Sequence, residues 1–248
     1  IYDIGFHSDQ RIPFIVMEYL IGIDLRERLT QRGLFVWHHL IPLIIPVLDA
    51  LGEAHLSNLV HRDLKPHNLF LVHEDTPQEQ IRILDFGIAQ LLDHPKDAAN
   101  SISGTLAYLA PEYLRDQTVS PQIDVYQMGL ILIELLSGQK VFNSESSYKL
   151  MLDIIDGNFD MPSSIAHEDL RRILNKATQV DPKERYANGH VFAAELTKFI
   201  QRNLPRVKEH ELNLAITDTY NSTRVDSTRV DSTQVDFTRV DYNSDDFE

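Results

Sequence analysis

The sequence has 248 residues, of which 43% are hydrophobic and 24% charged, ordinary proportions for a chain that folds around a buried core. A formal net charge of -14 argues against a nucleic-acid-binding surface, which needs a basic face. No cysteine is present, which excludes disulfides, thiolate metal sites and a cysteine nucleophile, and suits a reducing cytoplasm, the expected location.

In chain order, "PFIVMEYL" reads as a short buried strand and "DLRERLTQR" as a short helix. "HHLIPLIIPVLDALGEAHLSN" is apolar at helical spacing but contains Pro42 and Pro46. Proline fits the first turn of a helix and kinks it elsewhere, so the regular helix is expected to begin near Pro46. "NLFLV" and "IRIL", separated by polar "HEDTPQEQ", read as a hairpin. From Pro121 the chain reads as helical: "PQIDVYQMGLILIELLSG" closes on Gly138, a good C-cap, and three amphipathic segments follow, "SYKLMLDIIDG", "HEDLRRILNKATQ" and "NGHVFAAELTKFIQRN". A few strands followed by many helices predicts an α+β, mostly helical body.

The apolar stretch "MGLILIELL" is too short to cross a bilayer and carries Glu134, so no membrane segment is expected. No secretory signal is visible, and an opening Ile rather than Met reads as a processed or truncated start. Composition changes near Pro205, where "STRVD" occurs twice and is followed by "STQVD" and "FTRVD". A single valine per unit fits neither a helical stripe nor strand alternation, so a disordered tail is expected over residues 204–248.

The chemistry concentrates in "HRDLKPHN", which runs into the apolar "LFLV". A polar loop held against a buried strand is where function collects. Phosphoryl transfer asks for a carboxylate to receive a hydroxyl proton, a cation to offset phosphoryl charge, and oxygen ligands for magnesium. Asp63, Lys65 and Asn68 supply one of each. "LDFG", at the end of the next strand, adds Asp85 as a metal ligand and Gly87 as a sharp turn. Either motif alone is weak.

Together with "SGTLAYLAPE", "DVYQMG" and "DPKERY", in that order and at that spacing, they make Ile1 to about Arg202 resemble the larger, C-terminal lobe of a serine/threonine protein kinase, with wording closer to the bacterial branch. The resemblance implies residues 1–20 as a small-lobe remnant and hinge, and residues 21–203 as the large lobe. It implies Asp63 as the catalytic acid, Lys65 on the γ-phosphate, and Asn68 and Asp85 on Mg2+. Met17 resembles the gatekeeper, the backbones of Glu18 and Leu20 the adenine hinge, Asp24 the ribose contact and Phe70 the adenine floor. Arg62 resembles the receiver of an activation-loop phosphate on Ser101 or, second, Ser103, and Thr105 lines the peptide site. Structural roles fall to His61 and Phe86 in a hydrophobic column with Ile1, to a buried Glu112–Arg185 pair, and to Asp124 bracing the loop. The implied cofactors are ATP and Mg2+, and the implied partners are proteins with Ser or Thr acceptors.

The sequence departs from the family in one respect: no Gly-x-Gly-x-x-Gly stretch and no Val-Ala-Ile-Lys strand occur in it. In the family these elements hold the ATP phosphates, so little activity is expected of this stretch by itself. Two readings follow: a piece of a complete kinase, or a truncated pseudokinase serving as a binding scaffold. Intact Asp63, Lys65, Asn68 and Asp85 favour the first. A small-molecule phosphotransferase shares the Asp-x-x-x-x-Asn loop but lacks the "GTLAYLAPE" segment.

Overall fold

The computed structural model describes residues 2–6, 13–85, 106–144 and 146–204. The chain divides into two units, Ile1–Asn203 and Leu204–Glu248, so residues 1–20 and 21–203 belong to one body. The tail repeats, Ile1 and the stretch 86–105 lie outside the described residues.

Strands β1 (Asp3–Phe6) and β2 (Pro13–Val16) form an antiparallel ribbon with Ile4 opposite Ile15. The buried strand expected over residues 13–20 is corrected: it stops at Val16, and Phe14, Val16 and Met17 are 45%, 42% and 47% exposed. A two-stranded ribbon has open faces unless another layer covers them, and apolar composition alone does not report that cover.

A second sheet has the order β3-β4-β5, all antiparallel, from Gly22–Asp24, Leu69–Val72 and Gln80–Ile83. β4 and β5 are the expected hairpin. β3, only three residues long, is too short to show a period in sequence. Its register sets Asp24 directly opposite Phe70, so both side chains leave the same face of the sheet.

Helix α1 (Leu25–Arg32) starts where Asp24 Oδ1 accepts the Glu27 N–H at 2.8 Å. Helix α2 runs from Trp37 to Leu56 and keeps both prolines inside it. The expected start near Pro46 is therefore wrong, and packing explains why. An interior proline costs about 3 kcal/mol. Leu40, Ile41 and Ile44 lie before Pro46 and are fully buried, each contributing roughly 1.5–3 kcal/mol. Their burial outweighs the missing hydrogen bonds. By length and composition α2 is the one described helix able to cross a bilayer. In the fold its apolar face instead packs on the last helix, on β5 and on the central helix.

The remaining helices are α3 (Pro111–Asp116), α4 (Pro121–Ser137), α5 (Ser147–Asp156), α6 (Glu168–Ala177) and α7 (Gly189–Asn203). α4 is the centre of the body, with every residue from Ile123 to Leu136 buried. A helix enclosed on all sides reads as apolar all round, and the polar exceptions, Asp124, Gln127 and Glu134, each have a hydrogen-bonded task. It ends at Gly138 in the left-handed conformation, φ 75°. The α2–α7 contact is the most extensive in the body, and a glycine makes it possible: a Cβ on Gly189 would stand 2.1 Å from the Leu48 carbonyl oxygen.

Candidate active site

The loop between α2 and β4 carries "HRDLKPHN" and is suspended from α4. The fully buried Asp124 carboxylate accepts the backbone N–H groups of His61 and Arg62, each at 2.8 Å. One turn further along the helix, Gln127 accepts the Leu64 N–H at 3.1 Å and donates to the Arg62 carbonyl at 2.7 Å. These bonds hold Arg62 at φ 71°, a left-handed conformation that costs a non-glycine residue about 1–2 kcal/mol. Behind Asp124 stands His55, whose Nε2 lies 2.9 Å from the carboxylate. The Gly189 N–H donates to His55 Nδ1 at 3.2 Å, so the proton of the ring sits on Nε2 and is donated to Asp124. A chain of contacts thus runs from the start of α7 through α2 and α4 to the loop.

The second anchor is Leu84. Its N–H donates to the Asn68 carbonyl at 2.8 Å, and its own carbonyl accepts from His61 Nε2 at 3.0 Å. Asp85 follows immediately at φ 57° and is exposed. The strand end bearing Asp85 is therefore fastened to both ends of the polar loop.

Within the loop, Lys65 Nζ stands 2.8 Å from Asp63 Oδ2, with both side chains partly exposed. Asn68 donates its amide N–H to the Asp63 carbonyl at 2.7 Å and to Asp63 Oδ2 at 3.3 Å. That engagement orients the Asn68 side-chain oxygen away from Asp63, as an oxygen donor. Among the described residues no group of three His, Asp or Glu side chains is placed to hold a metal. Asn68 and Asp85 suit magnesium, which takes one or two protein oxygens and completes its shell with water and phosphate.

At the other margin, Asp24 and Phe70 are paired across β3 and β4, with Asp24 Oδ1 also serving as the cap of α1. Glu18 and Met17 are exposed and Leu20 is half-buried, on the extended segment after β2. Arg62 Nε is buried with no hydrogen-bond partner among the described residues. Phe86, Gly87, Ser101, Ser103 and Thr105 lie outside the described residues.

One buried ion pair and one half-exposed pair tie the segment after Thr105 to the body. Arg185 donates from Nη1 and Nη2 to the two Glu112 oxygens, both at 2.8 Å. Its other N–H groups go to the carbonyls of Gln122, Gln179 and Val180, so all five donors are used, and the guanidinium lies over the Tyr126 ring at 4.5 Å. Arg26 reaches Glu134 at 2.6 Å, and Glu134 also accepts the Tyr108 hydroxyl. Burial and the adjacent Glu134 carboxylate push the Tyr108 phenol well above its ordinary range. His55, Gln127, Glu134 and Arg26 escape a reading of the sequence alone. Gln127 leaves one signal: it lies three residues after Asp124, on the same helix face. A cavity of about 460 Å³ lined by Trp37, Leu136 and His167 shares no residue with the loop.

Comparison with known proteins agrees with this geometry. Residues 2–198 match the protein kinase domain family. The chain is 34% identical over 200 residues to the serine/threonine-protein kinase PknL of Mycobacterium tuberculosis, covering 79% of this chain and 49% of PknL. It is 33% identical over 202 residues to PrkC of Bacillus subtilis, covering 79% of this chain and 30% of PrkC. The chain therefore spans half or less of the length of these relatives. Among solved structures it is similar to Rad53 1-466 in complex with AMP-PNP, with a TM-score of 0.64, 26% identity, and 77% of this chain and 49% of the other covered. Family match, relatives and fold agree: the chain belongs to the protein kinase domain family.

Proposed function

We propose that the chain is the catalytic large lobe of a cytoplasmic serine/threonine kinase that uses Mg-ATP and phosphorylates proteins. The observation that carries this reading is the single hydrogen-bonded unit of Asp63, Lys65 and Asn68, hung from Asp124 and fastened through Leu84 to Asp85. Mg-ATP would supply the phosphoryl group and the charge that polarises it. Asp63 receives the proton of the acceptor hydroxyl, and Lys65, already beside Asp63, offsets the negative charge of the γ-phosphoryl group. Asn68 and Asp85 present the metal-binding oxygens. Asp24 and Phe70 face the nucleoside with the backbones of Glu18 and Leu20, and Met17 stands at the gatekeeper position. Thr105 lines the acceptor peptide. The buried Nε of Arg62, which has no hydrogen-bond partner among the described residues, supports its role as receiver of a phosphate on Ser101 or Ser103, since a charge-assisted bond would satisfy it.

The test is phosphate transfer from Mg-ATP to dephosphorylated casein by a kinase in which the small-lobe elements that hold the ATP phosphates are joined to this stretch, since little transfer is expected of the stretch by itself. Asp63→Asn should remove transfer and leave nucleotide binding in place, whereas Asp85→Asn should weaken magnesium-dependent binding. Nucleotide binding with no Asp63-dependent transfer would favour a scaffold instead.

A further inference from the structure

Pro42 and Pro46 each cost α2 an intrahelical hydrogen bond, yet both are exposed, so the core makes no use of them. With Ala50, also exposed, they form a stripe one turn apart that bears no charge and no side-chain donor. The carbonyls of His38 and Pro42, four residues before the two prolines, have no N–H there to accept.

The neighbouring wall is β5, the end strand of the order β3-β4-β5, with a strand partner on one side only among the described residues. The Leu84 N–H donates to the Asn68 carbonyl at 2.8 Å. Antiparallel ladders alternate, so Arg82 and Gln80 also pair toward β4, and the N–H and C=O groups of Ile81 and Ile83 point to the free edge. A cavity of about 410 Å³ lies between β5 and α2, within the roughly 300–1,000 Å³ of ligand sites. It is bordered by Pro42, Pro46 and Ala50 on one side and by every residue from Glu79 to Ile83 on the other. Consecutive residues line a cavity only along a strand's edge, since each face takes alternate ones.

Glu79 gives the groove its charge. Its side chain is 10% exposed. Oε2 lies 2.7 Å from His39 Nε2, whereas Oε1 is buried with no hydrogen-bond partner among the described residues. A buried carboxylate oxygen without a donor is unfavourable, and a donor brought by a ligand relieves it. Arg82 does not fill this role, because its side chain leaves the sheet on the Phe70 face, away from Ile81 and Ile83. Acceptors therefore outnumber donors in the groove, which suits arginine, a side chain of donors alone. The net charge of -14 likewise favours a cationic partner.

We propose that this groove binds an extended peptide segment of a partner protein, its backbone adding to the edge of β5 at Ile81 and Ile83 and one arginine side chain reaching Glu79. The inference goes beyond the kinase reading and requires no phosphate transfer.

The experiment titrates the full 248-residue chain with soluble pentapeptides of alternating Ser and Val that carry one Arg, placed at each position in turn, and follows amide hydrogen exchange by NMR. Saturable binding for at least one Arg position, with slowed exchange at Ile81 and Ile83, is the expected result. Norleucine in place of that Arg, or N-methylation of alternate peptide amides, should weaken binding roughly tenfold or more, the scale of a lost charge-assisted bond. Glu79→Gln should weaken the arginine peptide by the same factor and leave the norleucine peptide unchanged. His39→Gln, which keeps the carboxylate, should not weaken it. Ala50→Arg, at an exposed position, should block the groove without moving the urea midpoint, and it keeps the test open if Glu79→Gln is insoluble. No binding at any Arg position overturns the inference, as does equal binding of the arginine and norleucine peptides. Slowed exchange at Ile81 and Ile83 through self-association without peptide, seen by sedimentation, assigns the edge to a second copy and also overturns it.

Discussion

Replacing Glu112 by Gln tests how the segment after Thr105 is anchored. Arg185 is wholly buried and Glu112 is 7% exposed, so neither charge has water to fall back on. Glu112→Gln preserves shape and removes the counter-charge. Removing one partner of a buried pair costs roughly 3–5 kcal/mol, because the other charge is left uncompensated. Against a typical domain stability of about 5–15 kcal/mol this is a large fraction. At about 2–4 °C per kcal/mol for a body of this size, the midpoint should fall by roughly 6–20 °C. Arg185→Met should cost at least as much, since the carbonyls of Gln122, Gln179 and Val180 also lose their donor. The assays are thermal and urea unfolding followed by circular dichroism, completed by the double variant, whose loss should be well below the sum of the singles. If Glu112→Gln does not yield soluble protein, Arg185→Lys, which keeps the charge but not the fork, should unfold at an intermediate urea concentration. A loss below about 1 kcal/mol for Glu112→Gln would place the pair with exposed ion pairs and refute the reasoning.

Asp124→Asn puts an amide donor against the N–H groups of His61 and Arg62, so it should cut phosphate transfer by at least tenfold while changing the urea midpoint less than Glu112→Gln; unchanged transfer would show that the loop holds itself. Gly189→Ala drives a methyl into the Leu48 carbonyl, so it should cost about 1–3 kcal/mol or more in thermal unfolding, with no loss if α7 can slide freely along α2. Burial pushes the Tyr186 phenol from 10.0 up to about 12, and raises Tyr126 and Tyr108 in the same direction. In the unfolded chain these groups ionise near pH 10, so their stabilisation is complete below that pH and is lost as pH rises through the folded values. For Tyr186 the window is about pH 10 to 12 and the loss is on the order of 2–3 kcal/mol. Urea midpoints should therefore fall as pH rises from about 10 towards 12; midpoints that hold steady over that range would contradict buried phenols.

The family and the composition of the site were legible in the sequence because both rest on local chemistry. "HRDLKPHN" supplies an acid, a cation and an oxygen donor within reach of one another, and no folding is needed to see that. The C-terminal helices were legible for a similar reason: apolar residues at helical spacing, with a glycine cap at Gly138, act within a turn or two. The two misreadings, α2 and β2, have a shared cause. Pro42 and Pro46 are tolerated because Leu40, Ile41 and Ile44 find a core built by distant helices, whereas Phe14 and Val16 look buried by composition but meet no such layer among the described residues. Burial is decided by what comes to lie opposite, often a hundred residues away. The same holds for the support of the site. Asp124 and Gln127 hold the loop only because α4 passes beneath it, and His55 reaches Asp124 only because α2 and α7 cross closely at Gly189. Sequence fixes which groups can donate and accept; long-range packing decides which of them meet, since a hydrogen bond needs its partners within about 3 Å.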